Sequence, residues 1–175
     1  MRVHRAMRFP GAAIAILGIL GLGIPVACTG QEDRAGRVGV TAAVQGDQVD
    51  VLVPWWLSSR IAVVPAVGLQ IVGDSYVDLG LGAGMRFALR EGEAIPYLGV
   101  RGQVLLLSPN GADETITDFV LGAALGGEYL LNSHVGLGAE AQLNVSVSDD
   151  ASGRFGNPGG TNLNTATEFL ATYYF

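Results

Sequence analysis

The residues Gly136-Leu137-Gly138-Ala139-Glu140-Ala141-Gln142-Leu143-Asn144-Val145-Ser146 alternate strictly between two kinds of side chain. The odd-numbered positions, from Leu137 to Val145, are apolar, and the even-numbered positions, from Gly136 to Ser146, are polar or glycine. Successive side chains of a β-strand point to opposite sides of the sheet. This stretch therefore predicts a strand with one apolar face and one polar face.

The same period of two recurs along the chain after residue 36. Clusters of Gly, Asn, Asp, Ser and Pro separate the alternating stretches and are typical of turns. An even number of strands suits a closed antiparallel sheet. The sequence therefore predicts an all-β fold, an eight-stranded antiparallel up-and-down β-barrel. The predicted strands are residues 37–45, 49–57, 60–71, 76–88, 96–106, 117–131, 134–146 and 166–175.

The apolar face of these strands is continuous and nearly free of charge, whereas the other face alternates glycine with widely spaced polar side chains. A water-soluble barrel turns its apolar face inward, and a transmembrane barrel turns it outward. A soluble surface would carry many charges, but this chain contains no lysine at all. We therefore expect a transmembrane barrel whose narrow lumen is filled by polar side chains.

Two arginines, Arg86 and Arg101, lie on the polar face of neighbouring predicted strands. Charges in a confined interior are costly unless they are paired, so both arginines are expected to pair with carboxylates. We expect this network to hold the lumen together rather than to serve a substrate. The predicted network comprises Asp78, Arg86, Arg101, Gln103, Glu128, Glu140 and Glu168, and the same face carries Asp50, Asp118, Gln142 and Asn144.

Aromatic residues concentrate at one end of the predicted strands. Membrane barrels carry aromatic girdles at the membrane–water interfaces. We interpret this end as the periplasmic girdle and expect a thinner band at the other end. The first set comprises Trp55, Trp56, Phe87, Tyr97, Tyr129, Tyr173 and Phe175, and the second comprises Tyr76, Phe119 and Phe169.

The N-terminal residues have the layout of a secretory signal peptide, with three arginines followed by an apolar run that ends in small residues. We assign residues 1–27 to the signal peptide, residues 28–36 to a periplasmic tether and residues 37–175 to the barrel. Cys28 is a candidate lipidation site, because Val26-Ala27-Cys28 is similar to the end of a bacterial lipobox. Ordinary cleavage near Ala27 or Gly30 explains the same small residues and remains the alternative.

Composition limits the function further. The chain has 175 residues, with 16 acidic and 10 basic side chains and a net charge of −6, which argues against a nucleic-acid partner. Its single cysteine excludes an internal disulfide, and no spacing of Cys or His indicates a metal, so we expect no cofactor and no catalytic residues. Ser133 and His134 are adjacent in a predicted turn, where a solvated histidine is the simpler interpretation than a hydrolase pair.

The last strand, Thr167-Glu168-Phe169-Leu170-Ala171-Thr172-Tyr173-Tyr174-Phe175, ends on an aromatic residue after an alternating pattern. It resembles the C-terminal signature of bacterial outer-membrane β-barrel proteins. Residues 54–60 and 126–140 also resemble hairpins of small porin-like barrels of the OmpA/OmpX type. The resemblance covers residues 37–175 and implies that Phe169, Tyr173 and Phe175 form an assembly signal recognised by the barrel-assembly machinery.

These features together predict a non-enzymatic integral outer-membrane protein with a side-chain-filled lumen, in an envelope-structural role or presenting its longest loop, residues 149–164. Its expected partners are outer-membrane lipid and the barrel-assembly machinery, while an extracellular ligand cannot be named. One alternative is a periplasmic or lipid-anchored barrel that binds a small apolar ligand. A further alternative is an outer-membrane lipid-modifying enzyme.

Overall fold

The computed structural model describes residues 34–46, 48–72, 76–109 and 115–175. The predicted signal peptide and Cys28 lie outside these residues. Within the described ranges, no helix is long and apolar enough to cross a membrane. The strands are β1 Gly39–Gln45, β2 Gln48–Leu52, β3 Trp55–Trp56, β4 Ile61–Val72, β5 Tyr76–Ala88, β6 Ala94–Pro109, β7 Ile116–Leu130, β8 Val135–Val147 and β9 Thr161–Tyr174.

The strands form a closed antiparallel barrel. From β4 onward each strand pairs with the next in sequence, and β9 returns to pair with β1. Both β2 and β3 pair with β4, so they are two segments of one barrel strand. The predicted eight-stranded antiparallel barrel is therefore confirmed.

The second barrel strand is interrupted where the sequence predicted a continuous one. Pro54 separates β2 from β3 because proline has no N–H to donate to the ladder. The backbone carbonyl of Pro54 still accepts a hydrogen bond of 2.9 Å from Gly39, and Val53 donates to the carbonyl of Pro65 at 2.9 Å. The barrel wall therefore stays closed across the break.

The apolar face lies outside, as predicted from the alternation. In β8 the exterior Leu143 is 49 % exposed, whereas the flanking Gln142 and Asn144 are only 3 % exposed. The same pattern holds for Leu121 and Phe119 of β7, which are exposed, against the buried Asp118 and Val120. The barrel is thus apolar outside and largely polar inside.

The last strand is longer than predicted, and the long loop is correspondingly shorter. β9 begins at Thr161, and residues 161–164 pair with the end of β8. The composition of this stretch favours a loop, but pairing with β8 satisfies its backbone groups and makes it a strand. The loop between β8 and β9 is therefore residues 148–160.

The two ends of the barrel differ in what fills them. We call the end that carries residues 34–38 and Phe175 the termini end, and the end that carries residues 148–160 the loop end. The buried apolar side chains gather in the half of the lumen toward the termini end and comprise Ala43, Leu52, Trp56, Ala62, Val64, Ala88, Ile95, Tyr97, Leu170 and Tyr174. Near the loop end the buried side chains are mainly polar, with Leu105 and Val120 as apolar exceptions.

The predicted girdle at the termini end needs one correction. Trp55, Phe87, Tyr129, Tyr173 and Phe175 lie exposed on the exterior. The prediction is wrong for two members, because Trp56 and Tyr97 are buried in the lumen. Each has the parity of the polar face of its strand, so a strict count of the alternation would have placed both inside.

Candidate functional site: the polar lumen

An ion pair and an aromatic ring form one buried part of the lumen network. Arg86 Nη2 lies 3.7 Å from Glu140 Oε2, and both side chains are 7 % exposed. The Arg86 guanidinium also lies over the ring of Tyr97, 4.8 Å from its centroid. The Tyr97 hydroxyl donates a 2.9 Å hydrogen bond to Glu140 Oε2. The Oε2 atom of Glu140 therefore contacts both the Arg86 guanidinium and the Tyr97 hydroxyl.

A glutamine connects this pair to the second predicted arginine. Gln142 Nε2 donates to Glu140 Oε1 and to Glu168 Oε2, each at 2.8 Å. Arg101 Nη1 lies 3.9 Å from Glu168 Oε2 and is more exposed than Arg86, at 22 %. The structure thus places both arginines in one chain of contacts with Glu140 and Glu168.

Two predicted network residues have other partners. Glu128 accepts a 2.7 Å hydrogen bond from the hydroxyl of Tyr174, near the termini end. Asp78 pairs with Arg154 of the loop between β8 and β9. The predicted set therefore divides into a central network, two separate carboxylates, and Gln103, whose amide nitrogen has no hydrogen-bond partner among the described residues.

Arg154 also belongs to the polar network of the lumen, although the sequence did not predict it. Its Nε donates a 3.0 Å hydrogen bond to Asp118 Oδ2, and its Nη1 contacts Asp78 Oδ2. Burial opposes the charge on Arg154, but the hydrogen bonds that it donates to Asp78 and Asp118, with the attraction of both carboxylates, outweigh burial and raise the pKa of the guanidinium. The only signal in the sequence was the excess of carboxylates over Arg86 and Arg101 on the polar face.

Asp118 anchors the whole loop to the barrel wall. Its Oδ1 accepts a 2.9 Å hydrogen bond from the backbone N–H of Asp149, and its Oδ2 accepts one of 2.7 Å from Ser152 Oγ. Together with Arg154, these bonds fold the loop over the mouth. Ser152 is consequently buried in a segment whose composition is typical of a solvated loop.

The termini end is closed by a different arginine. Arg34 lies over the ring of Trp56, 5.2 Å from its centroid, and its Nη2 donates a 3.0 Å hydrogen bond to the carbonyl of Gly92. Burial lowers the pKa of Arg34 from its ordinary value. Arg34, which belongs to the predicted tether, therefore covers the termini end of the barrel.

A small cavity remains beside Arg101. It has a volume of about 50 Å³ and is lined in part by Asp50, Arg101, Gln103 and Glu168. Arg101 Nε and Gln103 Nε2 are buried there without a hydrogen-bond partner among the described residues. Such a space has room for ordered water but not for an organic ligand of ordinary size.

Glycines of the lumen face make room for the polar side chains of adjacent strands. A Cβ on Gly68 would lie 2.2 Å from Asp50 Oδ1, and one on Gly122 would lie 2.2 Å from Asn144 Oδ1. A Cβ on Gly126 would lie 2.5 Å from the ring of Tyr97. These three glycines therefore leave space for the side chains that fill a narrow lumen.

The predicted assembly signal lies on the exterior. Phe169, Tyr173 and Phe175 are all exposed, and the rings of Tyr173 and Phe175 meet edge to face with centroids 5.5 Å apart. Their recognition by an assembly machinery stays a prediction.

The adjacent Ser133 and His134 are hydrogen-bonded in their turn. Ser133 Oγ and His134 Nδ1 are 2.9 Å apart, and both residues are exposed. Asn132 Oδ1 accepts from the backbone N–H groups of His134 and Val135, so it organises the turn. No carboxylate in the described part of the chain hydrogen-bonds the His134 ring, which a triad would require.

The described residues contain no group of three His, Cys, Asp or Glu side chains placed to hold a metal ion. The polar side chains of the lumen form ion pairs and hydrogen bonds with one another.

No family model matches the chain, and no curated protein sequence matches it. Its fold is similar to the N-terminal β-barrel domain of Pseudomonas aeruginosa OprF, with a TM-score of 0.52 at 12 % identity, covering 82 % of this chain and all of that one. Neisserial surface protein A aligns with a TM-score of 0.48 at 14 % identity, covering 79 % of this chain and 91 % of that one. The OprF domain supports the barrel fold that the strand pairing shows.

Proposed function

We propose that the chain is a non-enzymatic integral protein of the bacterial outer membrane. The observation that carries this proposal is the exposed apolar exterior, which includes Leu121, Leu163 and Phe169. A monomeric protein in water rarely exposes a contiguous apolar patch of more than a few hundred Å². In a bilayer the same surface is matched to lipid, and the closed barrel leaves no unpaired strand edge.

The observed lumen supports this proposal over the alternative of a soluble barrel that binds an apolar ligand. Such a ligand needs a large apolar cavity, whereas the space beside Asp50 and Arg101 is only about 50 Å³. Side chains occupy most of the lumen, which supports an envelope protein that does not conduct bulk solutes. The enzyme alternative has only the exposed Ser133–His134 contact, which lacks an orienting carboxylate among the described residues.

The orientation of the barrel in the membrane is inferred from the different lengths of the loops at its two ends. We assign the termini end to the periplasm and the loop end to the cell surface, because outer-membrane barrels have short periplasmic turns and longer outer loops. Residues 156–159 are exposed at the tip of the loop that Asp118 anchors. The barrel is then a rigid envelope element that presents this tip.

Heat-modifiable gel mobility tests the proposal. Protein from washed membranes should require detergent for extraction and should migrate faster unboiled than boiled, because a closed barrel stays compact in detergent. Recovery in the soluble periplasmic fraction, with no mobility difference, would overturn it and favour the soluble barrel.

The assembly signal is tested by comparing two exterior residues. Phe175→Ala is expected to reduce the assembled fraction in cells severalfold, while protein refolded in detergent keeps its stability. Leu163→Ala is the matched control, since Leu163 is 69 % exposed and Phe175 is 70 % exposed. Equal loss in both variants would show that lipid contact, and not the C-terminal position, is what matters.

A further inference from the structure

We propose that the half of the lumen at the loop end is a blind acidic cup that takes a small organic cation, with the side chain of Arg154 as its built-in occupant. The expected ligand carries an ammonium or guanidinium group. Arg154 would then be an autoinhibitory contact, displaced when the loop lifts. This inference goes beyond the envelope role and does not depend on the orientation of the barrel.

The first support is the way Arg154 is held. Its guanidinium contacts Asp78 and Asp118, and Asp118 is 0 % exposed. The other described contacts of the loop with Asp118 are the hydrogen bonds from Asp149 and Ser152. None of the residues in the buried apolar cluster belongs to the loop. Polar contacts hold the loop over the mouth, so water or a competing cation can replace them.

The second support is the charge beneath Arg154. Among the described residues, no other arginine lies within 4.0 Å of Asp78 or Asp118. Asp50 accepts a 2.8 Å hydrogen bond from the side-chain amide of Gln48. No arginine of the described residues lies within 4.0 Å of its carboxylate. When Arg154 leaves, Asp78 and Asp118 have no arginine within 4.0 Å among the described residues, while Asp50 shares the lining of its cavity with Arg86 and Arg101. An unpaired buried carboxylate is costly, so the cup favours a replacement cation.

The third support is that Arg154 fits its own site incompletely. Its Nη2 is buried without a hydrogen-bond partner among the described residues, as is Ser148 Oγ in the same loop. A buried donor without a partner is destabilising. A free cation is not attached to the loop, so it can bind in a position where each of its N–H groups donates a hydrogen bond.

The cup is blind because the termini end is sealed. Trp56, Tyr97 and Ile95 are among the most deeply buried side chains, and Arg86 stacks on Tyr97 above them. Loss of Arg154 should therefore admit small molecules from the loop end without opening a passage. The expected activity is binding and not conduction.

Thiol labelling in detergent micelles tests the cup. Ser146→Cys places a thiol on the buried lumen face of β8, and Cys28→Ser removes the natural one. The probes are two methanethiosulfonates, one with a trimethylammonium group and one with a sulfonate. In the Arg154→Ala background we expect labelling by the cationic probe to accelerate at least tenfold, and labelling by the anionic probe to accelerate much less. Arg60→Ala, which removes an exposed arginine, is the control and should change neither rate.

Three outcomes would overturn the inference. Unchanged labelling after Arg154→Ala would show that Arg154 does not close the mouth. Equal acceleration with both probes would exclude a preference for cations. A rise in single-channel conductance in planar bilayers would show that the cup is not blind. Gel mobility verifies that each variant is folded, and Arg154→Gln replaces Arg154→Ala if the smaller side chain prevents folding.

Discussion

Gly126→Ala is expected to destabilise the barrel by about 3 kcal/mol, at the upper end of the usual cost of overpacking a tight interior. The added Cβ would lie 2.5 Å from the ring of Tyr97, which no side chain tolerates without movement. Tyr97 cannot move freely, because its hydroxyl is bonded to Glu140 and its ring lies under Arg86. The change should therefore disturb the centre of the network as well as the local contact.

The adjacent Gly127 provides the matched control. It lies in the same strand, and a Cβ there would have no neighbour closer than 3.8 Å. Gly127→Ala should leave the barrel as stable as the parent or slightly more so, by up to about 1 kcal/mol, since alanine restricts the unfolded chain. Urea unfolding in detergent, followed by tryptophan fluorescence, measures both variants. Equal stabilities would show that Tyr97 does not pack on Gly126.

A double-mutant cycle assigns the cost to the ring. The penalty of Gly126→Ala should fall well below 3 kcal/mol in a Tyr97→Leu background, because the clashing ring is then absent. An undiminished penalty would place the cause in the backbone of β7 instead.

Alternation along the strands was sufficient to predict the barrel and the side of the wall on which most residues lie. A period of two is a property of the strand itself, so residues such as Glu140 and Gln142 could be assigned to the lumen without knowing their partners. Trp56 and Tyr97 were misplaced because aromatic composition was given more weight than parity. The break at Pro54 follows from the missing N–H of proline, but the sequence does not show how the wall stays closed there.

Partners within the lumen could not be predicted from the sequence. They depend on the stagger between strands and on which side chain reaches across the barrel, and neither is encoded in local alternation. Arg101 was predicted to pair with a carboxylate, but only the structure identifies that carboxylate as Glu168. Arg154 was missed for a related reason. Loops have no periodicity, so an arginine that folds inward looks the same in sequence as one that faces water.

Arg86→Met is expected to lower the free energy of unfolding by about 3–5 kcal/mol, the usual cost of removing one partner of a buried ion pair. Glu140 would keep its hydrogen bonds from Tyr97 and Gln142 but lose the only arginine within 4.0 Å among the described residues. The stacking of Arg86 on Tyr97 would be lost as well.

Arg101→Met serves as the comparison and should lower the free energy of unfolding by distinctly less than Arg86→Met does. Arg101 is three times as exposed as Arg86, and its distance to Glu168 is 3.9 Å, at the edge of a salt bridge. Water in the adjoining cavity can hydrate Glu168 after the change, which reduces the cost of leaving that carboxylate unpaired. Urea titration of both variants in the same detergent gives the ranking directly.

The double variant Arg86→Met with Glu140→Gln separates charge from packing. Neutralising Glu140 removes the stranded charge but keeps a side-chain oxygen and an amide that can bond to Tyr97 and Gln142. If the uncompensated charge dominates, the double variant should regain more than half of the stability lost by Arg86→Met. If it regains nothing, the contribution of Arg86 comes from its packing on Tyr97, and the lumen is held together by the aromatic ring more than by the ion pair.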